Sequence, residues 1–180
     1  MIATEDTFAA RRYFDSNFRS TRIHIEILPT EDCHSAPEHV LERLDQYRKQ
    51  YQLGDDDELW LMLDTDHWTE PAHVANFTRV CQEAAQKHCQ LAHSNPCFDL
   101  WLLLHVQDIG ASQFKNFKCV EAQLKVAVGR YNKRRGLAYP LTRETILAAI
   151  SRAEKLDTAP AERWPQRTGS HVYRIVKKLL

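Results

Sequence analysis

The run Leu59-Trp60-Leu61-Met62-Leu63 carries no charge and passes straight into Asp64-Thr65-Asp66-His67. A continuous apolar stretch of this kind reads as a strand buried on both faces, the situation of a central strand in a parallel sheet. Such a strand needs helices on both sides of its sheet. A chain of 180 residues has room for one domain with that core, and two would be cramped. If the backbone leaves the strand extended, residues 64 and 66 point the same way and residue 65 the other way. The segment that sets the fold class therefore also delivers a pair of carboxylates.

The flanking sequence completes an alternating β-α pattern. Ile2 and Ala3 make a very short first strand. In "EDTFAARRYFDSNF", Phe8, Arg11, Arg12, Phe14 and Phe18 keep helical spacing, with Asp6 available as an N-cap. "RIHIEIL" alternates Ile23, Ile25 and Ile27 and predicts a strand. A second helix follows, with a Ser35/Glu38 capping box and Val40, Leu41, Leu44, Tyr47 and Tyr51 on one face; Gly54 and Asp55-Asp56-Asp57 end it. After the apolar strand, the spacing predicts a helix over 70–87, a short strand in "CQLAHS", and a helix beginning near Pro96. "CFDLWLLLHV" is too apolar for a surface helix and belongs in the core. Further helices are predicted over 114–131, 141–156 and 172–180, with a loop at Gly136 and Pro140. Residues 158–170, with two prolines and a glycine, look like a linker.

This order predicts an α/β domain, a parallel sheet of about four strands with helices on both faces, since parallel strands need right-handed crossovers. Ligands in such sheets bind outside the carboxyl ends of the strands. Glu5, Asp64 to His67, and Ser94-Asn95 end three different strands, so the topology predicts that they share one edge. Two carboxylates a few ångströms apart repel unless one holds a proton or a cation lies between them. A hard divalent ion, Mg²⁺ or alternatively Mn²⁺, resolves that conflict through oxygen ligands. Glu5 completes such a site or serves as a general base. The plainer reading is that these acids cap the next helix.

Composition narrows the classes. Lys+Arg and Asp+Glu balance at 24 each, so any basic footprint for nucleic acid must be local, as at Lys133-Arg134-Arg135 or Lys177-Lys178. Five cysteines without a C-x-x-C pair, no signal peptide and no long apolar run predict a reduced, cytoplasmic protein with no membrane association. His88, Cys89, His93 and Cys97 raise a zinc reading, but Pro96 and the intervening strand break a common face, which favours ordinary core residues. His105 ends a very apolar run, which favours a structural hydrogen bond. Trp60 and Trp101 read as core. Trp68 beside the acids suits either stacking on a base or packing.

"IATEDTFAARRYF", "ELWLMLDTDHW", "HSNPCFDLWLLLH" and "SHVYRIVKKLL", in that order, resemble the RloB family over nearly the whole chain. The third string is the most specific of the four. The resemblance implies a topoisomerase–primase (TOPRIM) type of fold and a role as a nuclease in antiphage defence, alongside an AAA/ABC-type ATPase. By matching position it implies metal-binding and catalytic roles for Glu5, Asp64 and Asp66, with Asp99 as an added ligand or supporting contact. His67 is a further catalytic candidate. Ser94, Asn95, Trp68, Lys133, Arg134 and Arg135 are candidates for substrate binding. Three departures stand out. The family's glycine after the glutamate is Asp6, its second acid is Ala10, and the segment before Glu5 is short, which predicts a truncated first strand or a misplaced start. Ala10 weakens a two-metal mechanism and leaves a one-metal site.

The expectation is thus one TOPRIM-like domain over 1–180, with an α/β core at 1–110 and a helical extension at 111–180, acting as a Mg²⁺-dependent nuclease. Its expected partners are the ATPase and a nucleic-acid substrate, RNA (including tRNA) or DNA, with a homodimer as a further assembly. Two rivals stay open: a TOPRIM module that binds without catalysis, and a phosphoryl-transfer enzyme for small substrates.

Overall fold

The computed structural model describes residues 1–18, 20, 22–30, 34–110, 112–137 and 141–180. Four parallel strands form the sheet in the order β2-β1-β3-β4: β1 (Ile2–Thr4), β2 (Ile27–Leu28), β3 (Trp60–Met62) and β4 (Gln90–Leu91). Helix α1 (Ala9–Asn17) joins β1 to β2, α2 (Pro37–Gln50) joins β2 to β3, and α3 (Val74–Gln86) joins β3 to β4. Ile2 pairs with both Ile27 and Trp60, which puts β1 and β3 side by side at the centre.

Alternation along β3 explains the two-sided burial. Trp60 and Met62 enter a core shared with α1 and the C-terminal helices, while Leu59, Leu61 and Leu63 enter a second core against α2 and α3. Strand side chains point alternately to opposite faces, so an uninterrupted apolar run is what a central strand requires. Helix α4 (Asp99–Leu104) is buried along its whole length, as the apolar "CFDLWLLLH" predicts. Helices α5 (Phe117–Val128), α6 (Arg143–Leu156) and α7 (Val172–Leu179) pack around it on the first face. In α7, Val172, Tyr173, Ile175 and Val176 are buried, so its apolar face is taken up by the core. Among the described residues no helix is long and apolar enough to cross a membrane.

Several local expectations are corrected. Of the strand predicted in "RIHIEIL", only Ile27–Leu28 pairs, and Ile23 is exposed. The Ser35/Glu38 capping box does not form: Ala36 is the N-cap, Pro37 opens α2, and Glu38 accepts from Asn76 instead. The helix predicted over 70–87 runs from Val74 to Gln86 as α3, and a 3₁₀ turn, Asp66–Thr69, precedes it. Phe8, not Asp6, is the N-cap of α1, but Asp6 still steadies its start, its carboxylate accepting from Phe8 N (2.8 Å) and Ala10 N (3.1 Å). Pro140, Cys33 and the loop residues beside Pro140 lie outside the described residues.

The segment read as a linker, 158–170, is instead a strap. Its end forms β6 (Gly169–Ser170), antiparallel to β5 (Ser94–Asn95). Trp164 packs on Phe77, with ring centres 4.9 Å apart. The zinc reading also falls. His93 is fully buried, accepts Leu63 N at Nδ1 (3.1 Å) and turns Nε2 to Cys81 Sγ (3.4 Å). Burial holds it neutral, with its pKa lowered to about 3.

His105 is structural, as expected. Tyr13 OH lies 3.1 Å from its Nε2, and its Nδ1 lies 2.9 Å from the carbonyl of Trp101. Because a carbonyl can only accept, Nδ1 carries the proton and Tyr13 donates to Nε2. Tyr13→Phe leaves that buried nitrogen unpaired and should cost about 1–3 kcal/mol, read as a lower urea midpoint with an unchanged slope. Burial lowers the His105 pKa to about 4, against about 6.5 in an unfolded chain. The unfolded state therefore binds the extra proton between these values, and stability drops as pH falls from about 6.5 towards 4. His105→Gln should flatten the stability–pH curve in that window by about 1.4 kcal/mol per pH unit, measured by denaturation at several pH values. An unchanged slope would refute the assignment.

Candidate functional site

The carboxyl edge of β1 and β3 is built on two acids. Glu5 follows β1 directly, and its Oε1 accepts Asp64 N at 2.9 Å while its Oε2 accepts Trp68 Nε1 at 3.2 Å. Asp64 follows β3, bridges to Ser94, and accepts Phe98 N at its Oδ1 (2.7 Å), just before α4. Burial pushes the Glu5 carboxyl up to about 7, although the bonds from Asp64 and Trp68 favour its charged form. Burial first and the Glu5 charge second raise Asp64 well above the carboxylate range, with Lys133 opposing. The Glu5 charge thus makes Asp64 harder to ionise, while the bonds from Asp64 favour the charged form of Glu5.

Asp66 lies on the same edge but does not stay alongside Asp64. Thr65 is helical (φ −82°, ψ −33°), so the chain turns at once instead of leaving the strand extended. Asp66 N donates to Pro96 O (3.0 Å), and its side chain is part-exposed near His67, 4.0 Å away. Burial raises its pKa, Glu70 adds to the rise, and His67 opposes it. His67 is exposed and lies against Trp68, with ring centres 4.2 Å apart. Trp68 spends its N–H on Glu5, so its first role here is to hold that carboxylate.

A second acid group comes from the third motif. Asp99, in the first turn of α4, is buried; Tyr131 OH donates to its Oδ1 (2.6 Å), and Lys133 Nζ stands 3.9 Å from its Oδ2. That Oδ2 has no hydrogen-bond partner. Burial raises Asp99, with Lys133 and Tyr131 opposing. Burial works against the Lys133 charge, but Asp99, Asp64 and Asp6 outweigh it and its pKa rises. Lys133 therefore belongs to the acid cluster, a finer placement than its reading as one of three loop cations. Sequence reasoning missed Tyr131, 32 positions from Asp99, and the contribution of Asp6 to the cluster's charge. No local pattern marks either.

The other candidates separate. Arg134 stacks over Phe8 at 5.3 Å, and Arg135 lines a groove beyond α1. Ser94 and Asn95 are committed to the strap rather than turned to a substrate. The buried Ser94 hydroxyl bonds Ser170 Oγ (2.8 Å), and Asn95 Nδ2 donates to Pro165 O (2.8 Å). Ala10 is fully buried in α1 and offers no ligand.

The donor chemistry suits a hard cation: Glu5, Asp64, Asp66 and Asp99 offer only oxygens. Their placement is looser than a closed cage, and among the described residues no three His, Cys, Asp or Glu side chains group closely enough to hold a metal ion. Mg²⁺ commonly takes one or two carboxylates and completes its shell with water and phosphate. The adjacent Glu5–Asp64 pair fits that share, and the orphaned Asp99 Oδ2 lies in the same acid cluster.

Comparison with curated proteins and with solved structures returned no match. Comparison with protein families did: the family described as RloB-like protein matches residues 1–179. The four strings that carry the likeness lie on β1–α1, β3 with its 3₁₀ turn, β5–α4 and α7. The chain belongs to the RloB-like family.

Proposed function

We propose that this chain is a Mg²⁺-dependent phosphodiesterase of TOPRIM type that cleaves nucleic acid, RNA or DNA, in the cytoplasm. In this reading it is the toxic effector of an antiphage system and works with an AAA/ABC-type ATPase. The observation that carries the reading is the half-buried Glu5–Asp64 pair at the carboxyl edge of the sheet, with Lys133 among the neighbouring acids. Two carboxylates held this way would be a poor structural choice unless a cation or a proton relieves them.

The chain's own groups divide the work. Asp64 and Glu5 would hold the ion, and Asp66 is the part-exposed carboxylate of the same edge. Mg²⁺, or Mn²⁺ in its place, supplies positive charge at the phosphoryl oxygens when bound. Glu5, with a proton affinity near neutrality, suits the transfer of a proton to or from the attacking or leaving oxygen. Lys133 is positioned to meet the phosphate charge, and Asp99 with Tyr131 fixes where its ammonium sits. His67, exposed beside Asp66, can reach a leaving group. The chain carries no G-x-x-x-x-G-K-[ST] string, so nucleotide-dependent control falls to the ATPase.

Ala10 favours one rival, a module of the same fold that binds without cleaving. The same variants separate the two. Asp64→Asn keeps an oxygen for Phe98 N while removing the charge, and should abolish Mg²⁺-dependent cleavage with a normal circular dichroism spectrum. Asp66→Ala should do the same. Glu5→Gln should lose activity with little change in metal affinity if Glu5 is the base, and with an equal loss of affinity if it is a ligand. Asp99→Asn should be milder, roughly 10–100-fold. EDTA should silence the wild type and added Mg²⁺ restore it. The readout is cleavage of mixed nucleic acids and cell toxicity, with the purified protein alone and with its ATPase. Full activity in Asp64→Asn would end the metal-nuclease reading.

A further inference from the structure

The loop after α5 is a tight hairpin in which Arg135 N and Gly136 N both donate to Asn132 O (2.9 Å each) and Arg134 N donates to Asn132 Oδ1 (2.9 Å). Gly136 makes the turn possible with φ +72°, a conformation side chains disfavour. Tyr131, through Asp99, anchors the hairpin to the acid cluster. Its three consecutive cations then fan out. Lys133 turns into the acids, Arg134 lies over Phe8, and Arg135 lines a groove of about 400 Å³ with Arg12 and Ser16.

Phe8, Arg12 and Ser16 are spaced four apart in and beside α1, so they share one face of the helix. That face begins three residues after Glu5 and runs about 12 Å to Ser16 at 1.5 Å per residue. Arg12, Arg134 and Arg135 are exposed, and among the described residues none pairs with a carboxylate; the acid nearest in sequence, Asp15, pairs with Arg11 (3.6 Å). In a chain with equal numbers of acids and bases, unpaired arginines in line with an acid cluster are a local basic footprint.

We propose that Arg12, Arg134 and Arg135 form a track for the phosphodiester backbone of a single-stranded nucleic acid, leading along α1 to the Glu5–Asp64 edge. The groove is too small for a duplex. It takes the phosphates of nucleotides flanking the one at the acids, whereas Lys133 serves the acid cluster. This rests on the phosphodiesterase reading and adds the residues that seat the substrate.

The test is binding of a short fluorescent oligouridylate, and of its deoxy counterpart, by the full chain in EDTA between about 50 and 200 mM salt. Each phosphate contact on a single strand contributes about 0.7 to the slope of log K against log salt. Arg12→Ala and Arg135→Ala should each weaken binding and reduce the slope by about that amount. Arg12→Lys keeps the slope. Arg11→Ala, on the neighbouring face, leaves it unchanged. Unchanged slopes in Arg12→Ala and Arg135→Ala, an equal loss in Arg11→Ala, or no binding by the wild type at the lowest salt would overturn the track. Either oligomer binding with these slopes supports it, and a preference identifies the sugar read. Normal slopes without cleavage under Mg²⁺ would overturn the phosphodiesterase reading alone; cleavage with unaltered slopes would overturn the track alone.

Discussion

Asp64 is the residue on which the rest of the edge depends. Its N–H goes to Glu5 at the end of β1, its carboxylate receives Phe98 N at the approach to α4, and its backbone bridges to Ser94 beyond β4. One residue therefore ties three segments that would otherwise only abut. The cost is a carboxylate driven by burial and by the Glu5 charge towards its protonated form. A buried charge without a partner costs several kcal/mol, so the edge must always hold something positive or a proton. Lys133 supplies part of that need in the structure, and a cation supplies more of it in the proposed function.

The architecture was legible where hydrophobic pattern alone decides. The uninterrupted apolar run of β3 and the nearly all-apolar α4 admit few environments, and both lie in the core. The pattern was weaker where neighbours decide. Ile23 and Ile25 alternate as in a strand, yet β1 begins at Ile2 and pairs with Ile27, so only the end of that segment has a partner within the sheet. Ser35 and Glu38 had the right spacing for a capping box, but Pro37 opens α2 and Asn76, from α3, takes the glutamate. Residues 158–170 have a linker's composition and are held by Trp164 on Phe77, Pro165 O with Asn95, and the Ser170–Ser94 pair. Composition does not record such contacts.

The site divides along the same line. Glu5 and Asp64 follow from the rule that strand ends gather at one edge, and Asp99 from its motif. The expectation that Asp66 would stand beside Asp64 assumed an extended exit, and a single helical residue, Thr65, turns it away. The mutual placement of Lys133, Tyr131 and Asp99 depends on a hairpin more than 30 positions downstream of α4's first turn, a separation no local period can encode. Ser94 and Asn95 were assigned to substrate because they end a strand at the right edge. The strap that claims them lies near the other end of the chain.

Charge segregation links the two halves of the functional reading. A polyanion is repelled by acids at one edge, here Glu5, Asp6, Asp64, Asp66 and Asp99, so a site made of these alone would disfavour the polyanionic substrate of the proposed function. Salt screens such repulsion only beyond about 8–10 Å, which leaves the first contacts fully exposed to it. Arg12 on α1, and Arg134 and Arg135 on the hairpin after α5, are exposed and pair with no carboxylate among the described residues, so their charge stays available to a polyanion. Asp6 illustrates the balance. It spends its carboxylate on the N-terminal turn of α1, where the helix dipole favours a negative charge, and from that position it still acts on Asp64, Asp99 and Lys133. Helix α1 thus starts beside Asp6 and carries Arg12 further along, so a chain with equal numbers of acids and bases presents both charges within a few residues.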